Sequence, residues 1–193
     1  MNIDDSLISS FVASVPKYCN SNIWDAESHI AYHSNSDKDP MTCNGECWIP
    51  RESHTHRSEL QRLYCNLPGR YPPLYEKLLL KYRWSKNDLE IIRLLGNPPG
   101  RGFDGLLREI YYDERISSVL IPSGYVQFGK APDLDYDPIC FDMNARQSDG
   151  DCRIIRFEHD ELLCNGRIGI FREVAKSFRD LLSKIVSGVP PEE

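Results

Sequence analysis

The run from 125 to 157, YVQFGKAPDLDYDPICFDMNARQSDGDCRIIRF, decides the fold class. It contains three short segments rich in β-branched and aromatic residues, at 125–128, 139–143 and 152–157, and this composition is typical of strands. The last two segments are separated by the turn-forming dipeptide DG at 149–150. The sequence therefore predicts an antiparallel hairpin within an antiparallel sheet.

Helical periodicity surrounds this region on both sides. Apolar residues recur at helical spacing over 8–15, 74–82 and 174–185. The second helix is expected to begin at the Pro72-Pro73 pair and to end near Trp84, whereas the segment 106–120 fits either a further helix or a strand. Helices packed on an antiparallel sheet, followed by a closing C-terminal helix, make an α+β fold the prediction.

The composition excludes several classes of protein. The chain has 193 residues and a mass of 22.3 kDa, and 40% of its residues are apolar, so it is long enough to bury a core of its own. Its 23 basic and 29 acidic residues give a net charge of -6, which is unfavourable for a protein that binds nucleic acid through phosphate contacts. The charge favours a basic partner and no direct nucleic-acid binding.

The first 56 residues differ in character from the rest. From Lys17 to His56 the sequence is polar and has no sustained period, which predicts irregular structure. Ser58 and Gln61 have the spacing of a capping box and mark the return of order. We therefore expect an N-terminal helix and irregular extension at 1–56, an α+β domain at 57–187 and a tail at 188–193.

Targeting features and cysteine usage indicate a reducing compartment. The N-terminal segment carries Asp4 and Asp5 where a signal peptide would be basic, and no apolar run is long enough to span a membrane. The seven cysteines are an odd number, and several lie in strand-like surroundings where a thiol acts as a small apolar group. The prediction is a cytoplasmic protein without membrane association or a disulfide framework; its oligomeric state stays open.

Two groups of residues have ligands suited to metals. Cys43, Cys47, His54 and His56 supply soft zinc ligands, but the single residue between the histidines is a tighter spacing than structural zinc sites use. The alternating aspartates of DLDYDP at 133–138 resemble the start of a calcium loop, yet Pro138 and Asn144 stand where that loop needs Gly and Glu. We predict no metal and no cofactor, with the first group left undecided.

A catalytic reading has one candidate cluster. His159 stands between Glu158 and Asp160 and so has carboxylates beside an imidazole, a combination that can serve as a general base. The sequence has no nucleophile elbow, no Walker loop and no metalloprotease motif. The prediction is a protein that is not an enzyme; a metal-dependent enzyme, in which Asp135, Asp137 and His159 converge, is the alternative to be tested.

Charge is distributed unevenly along the chain. Between 123 and 165 there are nine acidic residues against four basic ones, which accounts for most of the net charge. If these side chains share one sheet edge and its loops, they form an acidic surface that attracts a basic partner and speeds association. The predicted partner-binding residues are Asp133, Asp135, Tyr136, Asp137, Glu158, Asp160 and Glu161. Tyr136 is expected to act as an aromatic anchor, and Phe128, Phe141, Phe157 and Phe178 to lie in the core.

Several short motifs occur in a characteristic order. They are Leu67-Pro68 followed by Tyr71 and Tyr75, YVQFG at 125–129, DYDPICFD at 135–142, IIRFEHDE at 154–161, and Ser177-Phe178 followed by Leu181 and Leu182. In order and spacing this series resembles the SUKH superfamily, the Smi/Knr-type domain, over about residues 57–187.

The resemblance implies a function in protein binding. Bacterial domains of this type are typically immunity proteins that bind and neutralise a toxin, often a nuclease, of a polymorphic toxin system. Fungal relatives regulate cell-wall synthesis and signalling. The resemblance therefore predicts a non-catalytic immunity protein with a basic toxin domain as its partner, and leaves a regulatory scaffold as the alternative.

Overall fold

The computed structural model describes residues 3–21, 50–84, 87–98, 102–132, 136–169 and 171–188. Within these ranges the α-helices are α1 (Ile3–Ser14), α2 (Ser58–Tyr64), α3 (Pro73–Lys81), α4 (Asp104–Ile110), α5 (Glu114–Leu120), α6 (His159–Asn165) and α7 (Phe178–Ser187), and a 3-10 helix covers Val15–Ser21. The strands are β1 (Arg51–Glu52), β2 (Tyr82–Arg83), β3 (Asn87–Asp88), β4 (Arg93–Leu94), β5 (Tyr125–Lys130), β6 (Pro138–Arg146), β7 (Cys152–Phe157) and β8 (Phe171–Ala175). The α+β prediction is confirmed.

The main sheet is antiparallel throughout and has the strand order β3-β4-β5-β6-β7-β8. The predicted hairpin is confirmed: Phe141 lies opposite Ile154, and Gly150 in the connecting turn has a φ of 84°, a conformation that glycine adopts at little cost. The strands β1 and β2 form a separate two-stranded pair. Two edge regions escaped prediction, the short strands β3 and β4 and the strand β8.

One face of the sheet carries the larger core. Alternation along the strands places Phe128 and Phe141 on this face, where their rings stack with centroids 3.9 Å apart. Tyr75 of α3 and Phe178 of α7 pack against them in edge or tilted orientations, with centroids 5.1 to 6.0 Å from those of Phe128 and Phe141. The C-terminal helix thus contacts the sheet, as expected, through a buried aromatic cluster.

The opposite face carries a smaller apolar cluster. Cys140, Ile155 and Phe157 point to this side and pack with residues of the short helices α5 and α6. The sheet is therefore covered on both sides, by α1, α3 and α7 on one and by α5 and α6 on the other. The predicted burial of Phe128, Phe141, Phe157 and Phe178 is confirmed.

The N-terminal helix belongs to the larger core. Ile8 and Phe11 are buried in the same cluster as the residues of α3 and α7. The Asp4 carboxylate pairs with Lys77 at 2.6 Å and with Arg179 at 2.5 Å, and these two hydrogen bonds, to Lys77 first, lower the pKa of Asp4. The segments on the two sides of the predicted boundary at residue 57 thus share one core, and β1 pairs with β2 across it.

The observed helix boundaries differ in places from those that the local sequence signals predict. The capping-box interpretation is wrong: Arg57 is the N-cap of α2 and makes no side-chain capping hydrogen bond, and the Ser58 hydroxyl lies 2.8 Å from Nδ1 of His56. The segment 106–120 forms two helices, because Asp113 accepts hydrogen bonds from the N–H groups of Arg115 and Ile116 and so begins a new one. The helix expected to reach Trp84 ends at Lys81, where the chain enters β2.

Over the described ranges, no helix combines the length and the apolar character that a membrane span requires.

Candidate functional site

Asp137 joins two parts of the predicted site. Its Oδ1 accepts a hydrogen bond from the backbone N–H of His159 at 2.8 Å, and its Oδ2 pairs with Nε of Arg156 at 2.7 Å. Its backbone carbonyl also accepts from the N–H of Ala131 at 2.8 Å. The residue is 7% exposed, so its carboxylate is used inside the protein to hold the start of β6 against the first turn of α6.

This arrangement brings together the DLDYD and EHDE motifs, which are about 22 residues apart in the chain. Tyr136 immediately precedes Asp137 and is 48% exposed, one of the few large apolar side chains on the described surface. Its φ of 55° lies in the left-handed region, which a tyrosine adopts only where its surroundings impose it. The buried Asp137 provides such a fixed point, and it leaves the Tyr136 ring presented to solvent.

The acidic residues of α6 differ in their engagement. Glu158 is exposed and is the N-cap residue of α6 without a side-chain capping hydrogen bond, and the side chain of Asp160 is 96% exposed. Glu161 instead pairs with Arg167 at 3.3 Å. Carboxylates in a first helical turn interact favourably with the helix dipole, so the turn tolerates this charge. Among the predicted residues that the structure describes, Glu158 and Asp160 are therefore the ones whose charge faces solvent most fully.

Other acidic residues of the 123–165 region have structural roles. Asp142 is 1% exposed, pairs with Arg153 at 2.7 Å and accepts from the N–H of Asn144. Asp151 is 6% exposed and accepts from the N–H groups of Cys152, Phe178 and Arg179. The count of acidic residues in the sequence therefore overstates the charge that a partner would meet.

Asp133 and Asp135 lie outside the described residues, and their assignment as contacts stays a prediction. The chain enters that segment from Pro132 and leaves it at Tyr136.

The candidate metal ligands and the candidate catalytic residues lie only partly within the described ranges. Over the described ranges no three His, Cys, Asp or Glu side chains come together as a metal site would need, while Cys43, Cys47 and Asp135 fall outside those ranges. His159 contacts Asp137 through its backbone N–H, and its ring Nδ1 lies 3.7 Å from Asp160. The contact between His159 and Asp137 is therefore made by the backbone N–H of His159, and the imidazole takes no part in it.

A cleft that the sequence did not predict lies on the larger-core side of the sheet, beside the edge strand β8. Its volume is about 330 Å³, and Arg156, the partner of Asp137, forms part of it. Further lining residues include Glu90, Ile139, Arg172, Lys176 and Lys184. The missed strand β8 explains why these residues were not associated from the sequence, since their proximity depends on its pairing with β7.

No protein family and no curated protein matches the chain.

Proposed function

We propose that the chain is a non-catalytic, SUKH-like protein-binding domain, an immunity protein that binds and neutralises a basic toxin, such as a nuclease, in the cytoplasm. The order of the motifs over 57–187 supports this assignment. So does the placement of an exposed aromatic ring next to exposed carboxylates, since interface hot spots combine a rigid aromatic anchor with charges that select the partner.

The observation that carries the proposal is the contact between Asp137 and the N–H of His159. Because this contact is buried, it fixes Tyr136 relative to the turn that carries Glu158 and Asp160. We name Tyr136, Glu158 and Asp160 the acidic face. A preorganised face of this kind loses less conformational entropy on binding than a mobile loop would.

Within this proposal the predicted residues divide by role. Tyr136, Glu158 and Asp160 contact the partner, and Asp133 and Asp135 extend the acidic charge along the connection between β5 and β6. Asp137 is a positioning residue, because its carboxylate is buried and occupied. Glu161 contributes less, because Arg167 offsets its charge.

Two linked experiments test the function. The full chain is used as bait in the cells in which its gene is native, and the captured protein is identified. That protein is then expressed alone and together with the chain. We expect a basic protein that arrests growth alone and is harmless when coexpressed. A captured protein that is not toxic, and whose own activity the chain regulates, would contradict the immunity function and support the regulatory scaffold.

A further inference from the structure

The cleft beside β8 is lined by residues from several secondary-structure elements. They include Ile139 of β6, Arg156 of β7, Lys184 of α7 and the segment at Glu90 and Ile91. Ile139 is 1% exposed and belongs to the larger core, so the cleft borders that core. Charged groups in a concave space beside low-dielectric material exert a stronger field than they do on a flat surface.

Two arginines lie side by side in this cleft. Arg156 and Arg172 are directly opposite each other in the pairing of β7 with β8, so their side chains share one face of the sheet. Like charges in directly opposite positions are unfavourable unless anions offset them. Asp137 pairs with Arg156, and over the described ranges Arg172 has no carboxylate partner. Arg172 therefore adds positive charge in excess of the Asp137–Arg156 ion pair.

The acidic residues around the cleft do not cancel this excess. Asp180 is occupied, since it accepts from the N–H of Lys176 at 3.1 Å and pairs with Lys184 at 3.4 Å. Glu173 lies opposite Ile155, which packs on the other face of the sheet. In agreement, the pKa of Arg153 on that other face is raised, first by its hydrogen bond to Asp142 and also by the charge of Glu173.

Lys176 adds a second uncommitted cation. Its backbone N–H and carbonyl form hydrogen bonds, but its ammonium group has no carboxylate partner over the described ranges. Arg172 and Lys176 both line the cleft and are exposed. Arg172 is near the start of β8, and Lys176 directly follows the strand. Glu90 is the one lining carboxylate, over the described ranges, that is neither paired with a cation nor directed to the other face.

We propose that the cleft is a binding site for an oxyanion, a phosphate or carboxylate group of a small ligand, held between Arg172 and Lys176 with Arg156 behind it. The planar guanidinium of Arg172 matches two oxygens of such a group, and the flexible Lys176 ammonium contributes a point charge. The bound anion offsets the charge of Arg172, which lies directly opposite Arg156. The site borders the Asp137 contact through Arg156 but includes no residue of the acidic face, and it does not depend on the immunity function.

The test uses the full chain and two simple anions. Backbone amide spectra are recorded by NMR while sodium phosphate, or in a second series sodium succinate, is titrated at constant ionic strength maintained with sodium chloride. We expect saturable shifts confined to β8, the end of β7 and the start of α7. Arg172→Gln should weaken binding at least about tenfold, since it removes the charge-assisted contacts, and Lys176→Gln should weaken it less. The matched control is Arg115→Gln, which removes an exposed arginine on α5 and should leave binding unchanged.

The titrations distinguish a specific oxyanion site from an effect of overall charge. Saturation with phosphate alone, or with succinate alone, supports the site and identifies which oxyanion it takes. No saturable shift with either anion overturns the proposal. The same result follows if the Arg172→Gln protein binds as tightly as wild type, or if the Arg115→Gln protein loses affinity equally, because the effect is then one of overall charge. Toxin capture remains intact in all of these cases if the immunity function is right.

Discussion

The carboxylate of Asp137 lies between the backbone N–H of His159 and the guanidinium of Arg156, at 2.8 and 2.7 Å. One carboxylate thus accepts a hydrogen bond from the first turn of α6 and forms an ion pair with an arginine of β7. Because all three residues are at most partly exposed, the contact holds the connection between β5 and β6 in place relative to α6.

Replacing Asp137 tests this contact. Asp137→Asn keeps the size of the side chain but removes its charge, leaving Arg156 without that partner. We expect a loss of about 2–4 kcal/mol in the free energy of unfolding, since removal of one member of a largely buried pair leaves the other poorly compensated. Urea denaturation measures it. Asp160→Asn is the control, because that side chain is 96% exposed and its loss should change stability by less than about 0.5 kcal/mol. Equal effects of the two substitutions would contradict the structural role of Asp137.

Asp151 should be more important for stability than an ordinary helix cap. Its carboxylate accepts from Phe178 and Arg179 at the start of α7 and from Cys152 in β7, and so joins the C-terminal helix to the sheet. Asp151→Ala leaves these buried donors without partners and should cost about 2–3 kcal/mol. Ser177→Ala removes only the bond to the N–H of Asp180 and should cost about 1 kcal/mol. The order of the two melting temperatures checks the prediction, and the reverse order would refute it.

Two core tyrosines should respond oppositely to loss of the hydroxyl group. The Tyr75 hydroxyl is buried and has no hydrogen-bond partner among the described residues, whereas that of Tyr64 donates to Glu76 and accepts from the N–H of Tyr71. Tyr75→Phe should leave stability unchanged or raise it by up to about 1 kcal/mol, and Tyr64→Phe should lower it by about 1–2 kcal/mol. Thermal unfolding distinguishes them. Destabilisation by Tyr75→Phe would show that its hydroxyl has a partner, such as a buried water molecule.

Acid should loosen the attachment of α1. The pKa of Asp4 is lowered by its bonds to Lys77 and then Arg179, so the folded protein holds this carboxylate ionised more strongly than the unfolded chain does. That contribution is present above the unfolded value, near 3.8, and is lost as the pH falls below it towards the lowered folded pKa. Asp4→Asn should therefore destabilise the protein at pH 7, and its deficit relative to wild type should shrink as the pH falls below 3.8. A deficit that stays constant across this range would contradict the ion-pair explanation.

The strongly patterned parts of the fold could be predicted from the sequence. The strands β5, β6 and β7 combine β-branched and aromatic residues with a DG turn, and their pairing follows from the local chain alone. The strands β3, β4 and β8 escaped because the first two have two residues each and because Val174 of β8 fits the helical spacing of α7. Ser177 ends that ambiguity in the structure by capping α7 at Asp180, a signal that was present in the sequence.

The candidate site was predictable in position and less so in the roles of its residues. The sequence indicated an acidic region, and the structure holds Asp137, the neighbour of Tyr136 in the chain, against the first turn of α6. The carboxylates of Asp137, Asp142 and Asp151 accept hydrogen bonds from donors within the protein. A count of charges cannot distinguish a carboxylate that faces solvent from one that caps a helix, because that difference depends on contacts between distant parts of the chain.

The most direct test of the proposed function is the affinity of the captured partner for a chain that lacks the two carboxylates of the acidic face. The variant Glu158→Gln with Asp160→Asn removes two exposed charges, and the matched control, Glu52→Gln with Asp104→Asn, removes two exposed charges on β1 and α4. Surface plasmon resonance at low and moderate salt measures the affinity and the association rate of both variants. The proposal predicts that the first variant binds at least about tenfold more weakly, chiefly through slower association, while the control binds like wild type. Equal affinity of the first variant and wild type would contradict it.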